Sequence, residues 1–264
     1  VNMLDALNMA LFKPDEYGAT LTSAHLQVAG FGGAFLFMVF WKFFVDEEKD
    51  HHWVSVIEAP LAKIGKIEAV QVALTLASMY AVTKFLPSEE HLSFWLSGLA
   101  GIVTYIIADG FGALMESTEE EMVHHSNGAA TMAKSGFAMF MYLEILDASF
   151  SFDGVIGAFA LTNNIFIIAA GLGIGAMFVR SLTLMLVDKG TLDQFAYLEH
   201  SAFWAIGVLA ATMFAGTVMH IPEAVVGLSS AAIIGLGVIH SIYVKKQEES
   251  TDISSEGQAT SGPL

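Results

Sequence analysis

The sequence predicts an all-α fold, a polytopic bundle of transmembrane helices, and three observations predict it. The chain has 264 residues, of which 55% are hydrophobic and 14% charged, with a mean hydropathy of +0.60. A soluble domain carries about 45 to 50% apolar and about 25% charged residues, so a water-soluble enzyme of this composition is excluded. Second, the apolar residues gather into stretches of about 20, the length that crosses a bilayer as helix. Third, these stretches are continuous, as from Ile165 to Phe178. The strands of a membrane barrel would instead alternate over about ten residues.

Taken in order, the expected spans run roughly over 25–45, 67–86, 93–114, 137–160, 165–187, 200–219 and 224–244, about seven in all. Residues that interrupt helices stand between them: Pro87 and Ser88, Asn163 and Asn164, Lys189 and Gly190, Ile221 and Pro222. Residues 1–245 thus form one transmembrane domain. Residues 246–264 are polar and rich in Ser, Glu and Gly, and read as a disordered tail. No apolar stretch follows an initial Met with a basic flank, so no signal peptide is visible. The initial Val1 fits a fragment or a processed chain.

Alternating spans place Lys49, Lys63, Lys66, Lys134, Lys189, Lys245 and Lys246 on one side. The other side receives Lys13, with Lys84 near its boundary. The Lys-rich side is then cytoplasmic, and the C-terminus with it. The formal net charge of −16 speaks against nucleic acid as a partner. With no cysteine, disulfides and thiolate metal sites are excluded.

Ionisable residues inside spans are costly and commonly functional. The densest set is Glu144, Asp147 and Asp153, with Ser149 and Ser151 between them. At 100° per residue, Glu144, Asp147 and Ser151 share one helix face, while Ser149 and Asp153 share another. One unbroken helix cannot aim all three acids at one ion. Either the helix is interrupted around Ser149 to Gly154, as at transporter binding sites, or the faces serve different partners.

Depth, counted at about 1.5 Å per residue, places Arg180 level with Glu144 and Asp147 and far from Asp153. The expectation is a cluster of Asp109, Glu144, Asp147 and Arg180 in the cytoplasmic half, with Arg180 as structural counter-ion or gate. Asp109, near a span end, equally fits simple snorkelling. The runs Asp46 to His52 and Glu119 to His125 pair acids with histidines; they read as solvated faces or as cation collectors. His25 and His200 open spans, where capping or interface roles are the default. Gly171, Gly173 and Gly175 give a small-residue stripe for helix packing. His25 with Gly32, and His200 with Gly207, repeat one spacing on spans of opposite sense, the trace an inverted repeat would leave.

The run Glu144-Ile145-Leu146-Asp147-Ala148-Ser149-Phe150-Ser151-Phe152-Asp153-Gly154-Val155-Ile156-Gly157-Ala158, with Thr162 to Phe166 and Met177 to Thr183, resembles a bacterial integral membrane family of uncharacterised function. That family is related to the tellurium-resistance protein TerC within the LysE transporter superfamily. The likeness extends to Ala29 to Leu36 and Asp46 to Trp53. It implies a multi-pass protein of the bacterial inner membrane and a role in manganese efflux or metal homeostasis. It also implies a first copy of the acidic motif in a segment before Val1. Matching residues are Glu144, Asp147 and Asp153, with Ser149 and Ser151.

Oxygen ligands without cysteine suit hard cations such as manganese, magnesium or calcium. The first expectation is therefore an exporter of a divalent cation, held as transported ion and not as a resident cofactor. The second is a membrane scaffold or sensor in metal or tellurite stress, acting as a homo-oligomer or within a stress-response complex. An intramembrane protease using Asp109 and Asp153 ranks last, because its two acids must share a proton. No enzymatic activity is expected.

Overall fold

The computed structural model describes residues 2–45, 53–54, 56, 58, 60–61, 69–123, 140, 155, 158, 162, 164–188, 195, 197–219 and 221–259. Among these the secondary structure is helical: α1 (Met3–Phe12), α2 (Pro14–Ser23), α3 (His25–Val45), α4 (Val70–Thr83), α5 (His91–Val123), α6 (Ile165–Asp188), α7 (Leu198–Gly216) and α8 (Glu223–Ala259). Five are long and apolar enough to cross a membrane: His25–Val45, His91–Gly110, Ile165–Met185, Leu198–Gly216 and Ala224–Gln247. The span expected over 67–86 is the 14-residue helix α4. At about 1.5 Å per residue it covers only part of a core about 30 Å thick. The span expected over 137–160 lies outside the described residues, apart from isolated positions.

Helix α3 is the centre. Its residues Ala34, Phe35, Leu36 and Met38 are all fully buried. Along one flank runs α5: Gly30 lies against Phe94 and Ser97, Gly101 against the Phe31 backbone, and Phe35 meets Tyr105 edge to face at 5.6 Å. Both numbers rise together in these contacts, so α3 and α5 are parallel. Along the other flank runs α7, in the opposite sense. His25 lies near Gly216, Gly33 near Phe214, Phe40 near Gly207, and Phe43 stacks on Phe203 at 3.8 Å. Helix α8 returns along α7, with Gly237 at Ser201 and Ser241 at Tyr197. Helix α4 ends beside the start of α5, at the His25 end. Taken in chain order, α3, α4, α5, α7 and α8 therefore alternate in direction.

The α3–α7 contact is reciprocal. A Cβ on Gly33 would lie 2.5 Å from the Phe214 ring, and a Cβ on Gly207 would collide with the Phe40 ring. Each helix offers a glycine hollow and, seven residues on, the phenylalanine that fills its partner's hollow. In lipid, where no hydrophobic force drives helices together, such close approach supplies the attraction. The hollow facing Phe214 belongs to Gly33, one residue past the Gly32 that spacing alone picks out.

Local chemistry sets the ends. Asn164 caps α6: its Oδ1 accepts the backbone N–H of Phe166 at 3.0 Å and of Ile167 at 3.4 Å. At the start of α7, the Ser241 hydroxyl accepts the Tyr197 N–H at 2.9 Å and donates to the Gly237 carbonyl at 2.9 Å. Ala69 enters α4 with φ 71°, a left-handed conformation that costs an L-residue about 1–2 kcal/mol.

Two boundaries differ from the sequence reading. Helix α5 continues to Val123, through the first part of the acidic run at Glu119. Helix α8 continues to Ala259, through most of the segment read as a disordered tail, while 260–264 lie outside the described residues. Both extensions carry strong helix formers such as Glu, Lys and Gln. Lengthening a helix already nucleated in the membrane fixes one residue per bond gained.

Gly207→Leu is expected to destabilise the chain in detergent by about 1–3 kcal/mol through overpacking at Phe40. Gly227→Leu, where an added Cβ meets nothing within 4 Å, is expected to leave the melting temperature within a degree or so. Ala69→Gly is expected to raise stability by about 1 kcal/mol in the same assay, because glycine adopts that φ without strain.

Candidate functional site

The charged groups that the fold buries gather at the end of the bundle where α3 finishes and α7 begins. Between α3 and α4, Glu58 lies in the first turn of a helical segment, its N–H donating to the Val54 carbonyl at 2.9 Å. The carboxylate folds back over that turn's start. Oε2 accepts the Trp53 N–H at 3.0 Å and Oε1 accepts the Val54 N–H at 3.1 Å. This is how acids cap a helix N-terminus, where exposed N–H groups and the dipole both favour negative charge.

What lifts Glu58 above an ordinary cap is its reach across the fold. Its Oε1 also accepts the indole N–H of Trp204 at 3.0 Å, from a residue 146 positions away. Its Oε2 lies 3.7 Å from His200 Nε2. Glu58 is 1% exposed and His200 5%, so both sit inside the protein. Aromatic rings close the surroundings: Phe43 meets His200 edge to face at 5.2 Å, and Phe40 and Phe44 meet Trp204 at 5.6 and 5.1 Å. A buried carboxylate persists only when its oxygens are supplied with donors. Here two backbone amides, one indole and one imidazole surround it.

Chemically this arrangement holds the segment after α3 onto α7. His200 extends it toward α8: its ring stands 6.4 Å from Tyr197, and Tyr197 stacks on His240 at 4.6 Å. The expectation for His200 was a role at a helix end or interface, and the structure makes it an interface residue. Glu58 and Lys42 were missed. Their only sequence signals are an acid just before Pro60 and a lysine within the last turn of a span.

Lys42 settles the place of Asp109. The two side chains form an ion pair that joins α3 to the parallel α5. Asp109 is thus held by a lysine, and among the described residues its ionic partner is not Arg180. The physical reason is register: parallel packing of α3 on α5 brings position 42 level with position 109. Arg180 lies on α6 with its side chain exposed, on a helix of which 6% of the Ile165–Met185 window is buried. Gly171, Gly173 and Gly175 on the same helix meet nothing within 4 Å among the described residues. Glu144, Asp147, Ser149, Ser151 and Asp153 lie outside the described residues, as do Asp46 to His52 and His124 and His125. Among the described residues, no three His, Asp or Glu side chains stand close enough to hold a metal ion.

Long apolar helices packed side by side and running in alternate senses define a helical membrane-embedded protein. The chain belongs to the family described as Protein of unknown function (DUF475), whose pattern matches residues 1–248. It is similar to the "Uncharacterized membrane protein YceF" of Bacillus subtilis (strain 168), 31% identical over 127 residues. That stretch covers 46% of this chain and 47% of the relative, so the match spans about half the length of each. No solved structure matches the chain.

Removing the Glu58 carboxylate strands an indole and two backbone donors in a buried place. Glu58→Ala is expected to cost about 1–3 kcal/mol, read as a lower melting temperature in detergent. Trp204→Phe removes one donor only and is expected to cost about 1 kcal/mol.

Proposed function

We propose that this protein is a TerC-related transporter of a divalent metal cation, manganese-like in its preference for oxygen ligands, that serves export or metal homeostasis. The observation that carries the reading is the run Glu144 to Gly154 in a membrane-embedded chain. Three carboxylates and two hydroxyls interrupt an otherwise apolar stretch, where uncompensated charge is expensive. In this reading Glu144, Asp147 and Asp153 bind the transported ion, Ser149 and Ser151 add neutral oxygens, and Arg180 balances charge when the site is empty. Carboxylate and hydroxyl oxygens suit manganese, magnesium and calcium over soft metals.

Two acids of the described bundle support this assignment by their commitments. Glu58 is engaged by Trp53, Val54, Trp204 and His200, and Asp109 by Lys42. Neither is offered to a passing ion. The proposed architecture has about seven spans in this chain, arranged as an inverted repeat. The exchange of glycine and phenylalanine between α3 and α7, antiparallel and each followed by an antiparallel partner, supports it. Lysines at 245 and 246, at the C-terminal end of the last apolar stretch, support a cytoplasmic C-terminus in a bacterial inner membrane.

The test is flux. The complete protein in proteoliposomes is expected to move manganese down its gradient, and Asp153→Asn or Asp147→Asn to reduce the rate at least about tenfold, as losing a charged ligand should. Equal flux in the variants would remove these residues from the path. No flux of any divalent cation, with specific membrane partners recovered instead, would favour the scaffold.

A further inference from the structure

We infer that α1 lies along the membrane–water boundary at the His25 end of the bundle, with Leu4, Leu11 and Phe12 immersed in lipid. The observation is a contrast between two neighbouring helices of ten residues each. Helix α2 exposes Asp15, Glu16, Ala19, Thr20 and Ser23, and turns Gly18 inward. Helix α1 exposes large apolar side chains instead, together with Asp5 and Asn8. Leu4 is 78% exposed, Phe12 76% and Leu11 46%, while Ala10 is 7% exposed. At 100° per residue Leu4, Leu11 and Phe12 fall within one third of the helix circumference, with the uncharged Asn8 between them and Asp5 at the rim, and Ala10 lies on the opposite side.

Position gives this apolar face its occupant. Helix α2 ends at Ser23 and α3 begins at His25, with Ala24 between them. Helix α3 is 21 residues long, about the thickness of the hydrocarbon core, so its first residue stands at the edge of the lipid. Lys13 alone separates α1 from α2, which tethers α1 within one short helix of that edge. Leu4, Leu11 and Phe12 thus stand within one short helix of the lipid-covered surface of the bundle. Interfacial helices bury such a face about 5–10 Å into the headgroup and acyl boundary.

The charges say which attraction is absent. Asp5, Asp15 and Glu16 outnumber Lys13, and the Lys13 ammonium is already paired with Glu16 at 3.0 Å. Anionic headgroups would be repelled, so α1 is held by apolar burial and is indifferent to salt. The inference rests on the membrane-embedded bundle and is independent of the metal reading.

The chain has no cysteine, which makes single-site spin labelling direct. Leu4→Cys, Phe12→Cys and Ala19→Cys would each be labelled with a nitroxide and reconstituted in phosphatidylcholine vesicles. Power saturation then compares collisions with oxygen, which concentrates in lipid, and with a water-soluble nickel chelate. At positions 4 and 12 oxygen is expected to dominate several-fold, at position 19 the chelate, with no change on raising salt. Dominance of the chelate at 4 and 12 would place α1 in water and overturn the inference. Protection of both positions from both reagents would overturn it equally, because protein, a second copy or another segment, would then cover the face.

Discussion

Two phenylalanines set into two glycines hold α3 and α7 face to face, and most of what surrounds them depends on that contact. Phe40 fills the hollow at Gly207 and Phe214 fills the hollow at Gly33. Helix axes can then come close enough for packing attraction to replace the hydrophobic force that lipid does not provide. The other helices are placed from this pair. Helix α5 lies along α3 through the hollows at Gly30 and Gly101, and α8 lies along α7 through Gly237 at Ser201. The antiparallel register also decides which ends meet: position 43 reaches 200 and 203, and position 25 reaches 216.

That register is what allows a carboxylate to be buried. Glu58 follows α3 by a short connection, and the start of α7 stands where it arrives, so Trp204 supplies a donor that no local sequence could, with the His200 imidazole beside it. Its remaining needs are met by the two amides of its own turn. Lys42 and Asp109 follow the same logic on the parallel flank, neutralising each other near the end of two spans, where an isolated charge would cost a few kcal/mol. Glu58 and the Lys42–Asp109 pair are thus spent on joining helices. The proposed ion-handling role rests on acids elsewhere in the chain, the run from Glu144 to Asp153, which is the densest set within an expected span.

The sequence makes the helices legible and their partnerships much less so. Hydropathy alone finds 25–45, 165–187 and 224–244 nearly as the structure draws them, because composition decides what lipid will accept. The Asn164 cap is legible too, since an Asn before an apolar run has one obvious task. Contacts between distant segments are not. Glu58 looks like any acid in a polar connection, and only the fold brings Trp204 to it. Asp109 could be read as a partner for Arg180 by depth, yet depth says nothing about azimuth or neighbour order, and Lys42 on α3 takes the place. The glycines in close contact between α3 and α7 are Gly33 and Gly207, so the spacing from His25 falls one residue short on α3, because spacing from a histidine fixes no helix face.

The α3–α7 pairing is tested most directly by cross-linking within the cysteine-free chain. Phe43→Cys with Phe203→Cys places two thiols where the rings stack at 3.8 Å. Phe43→Cys with Met219→Cys places them at opposite ends of the pair. A short thiol-to-thiol cross-linker applied in native membranes should join the first pair and leave the second unlinked. Linking the second pair as readily as the first, or failing to link the first in folded protein, would contradict the antiparallel contact from which the rest of the bundle is built.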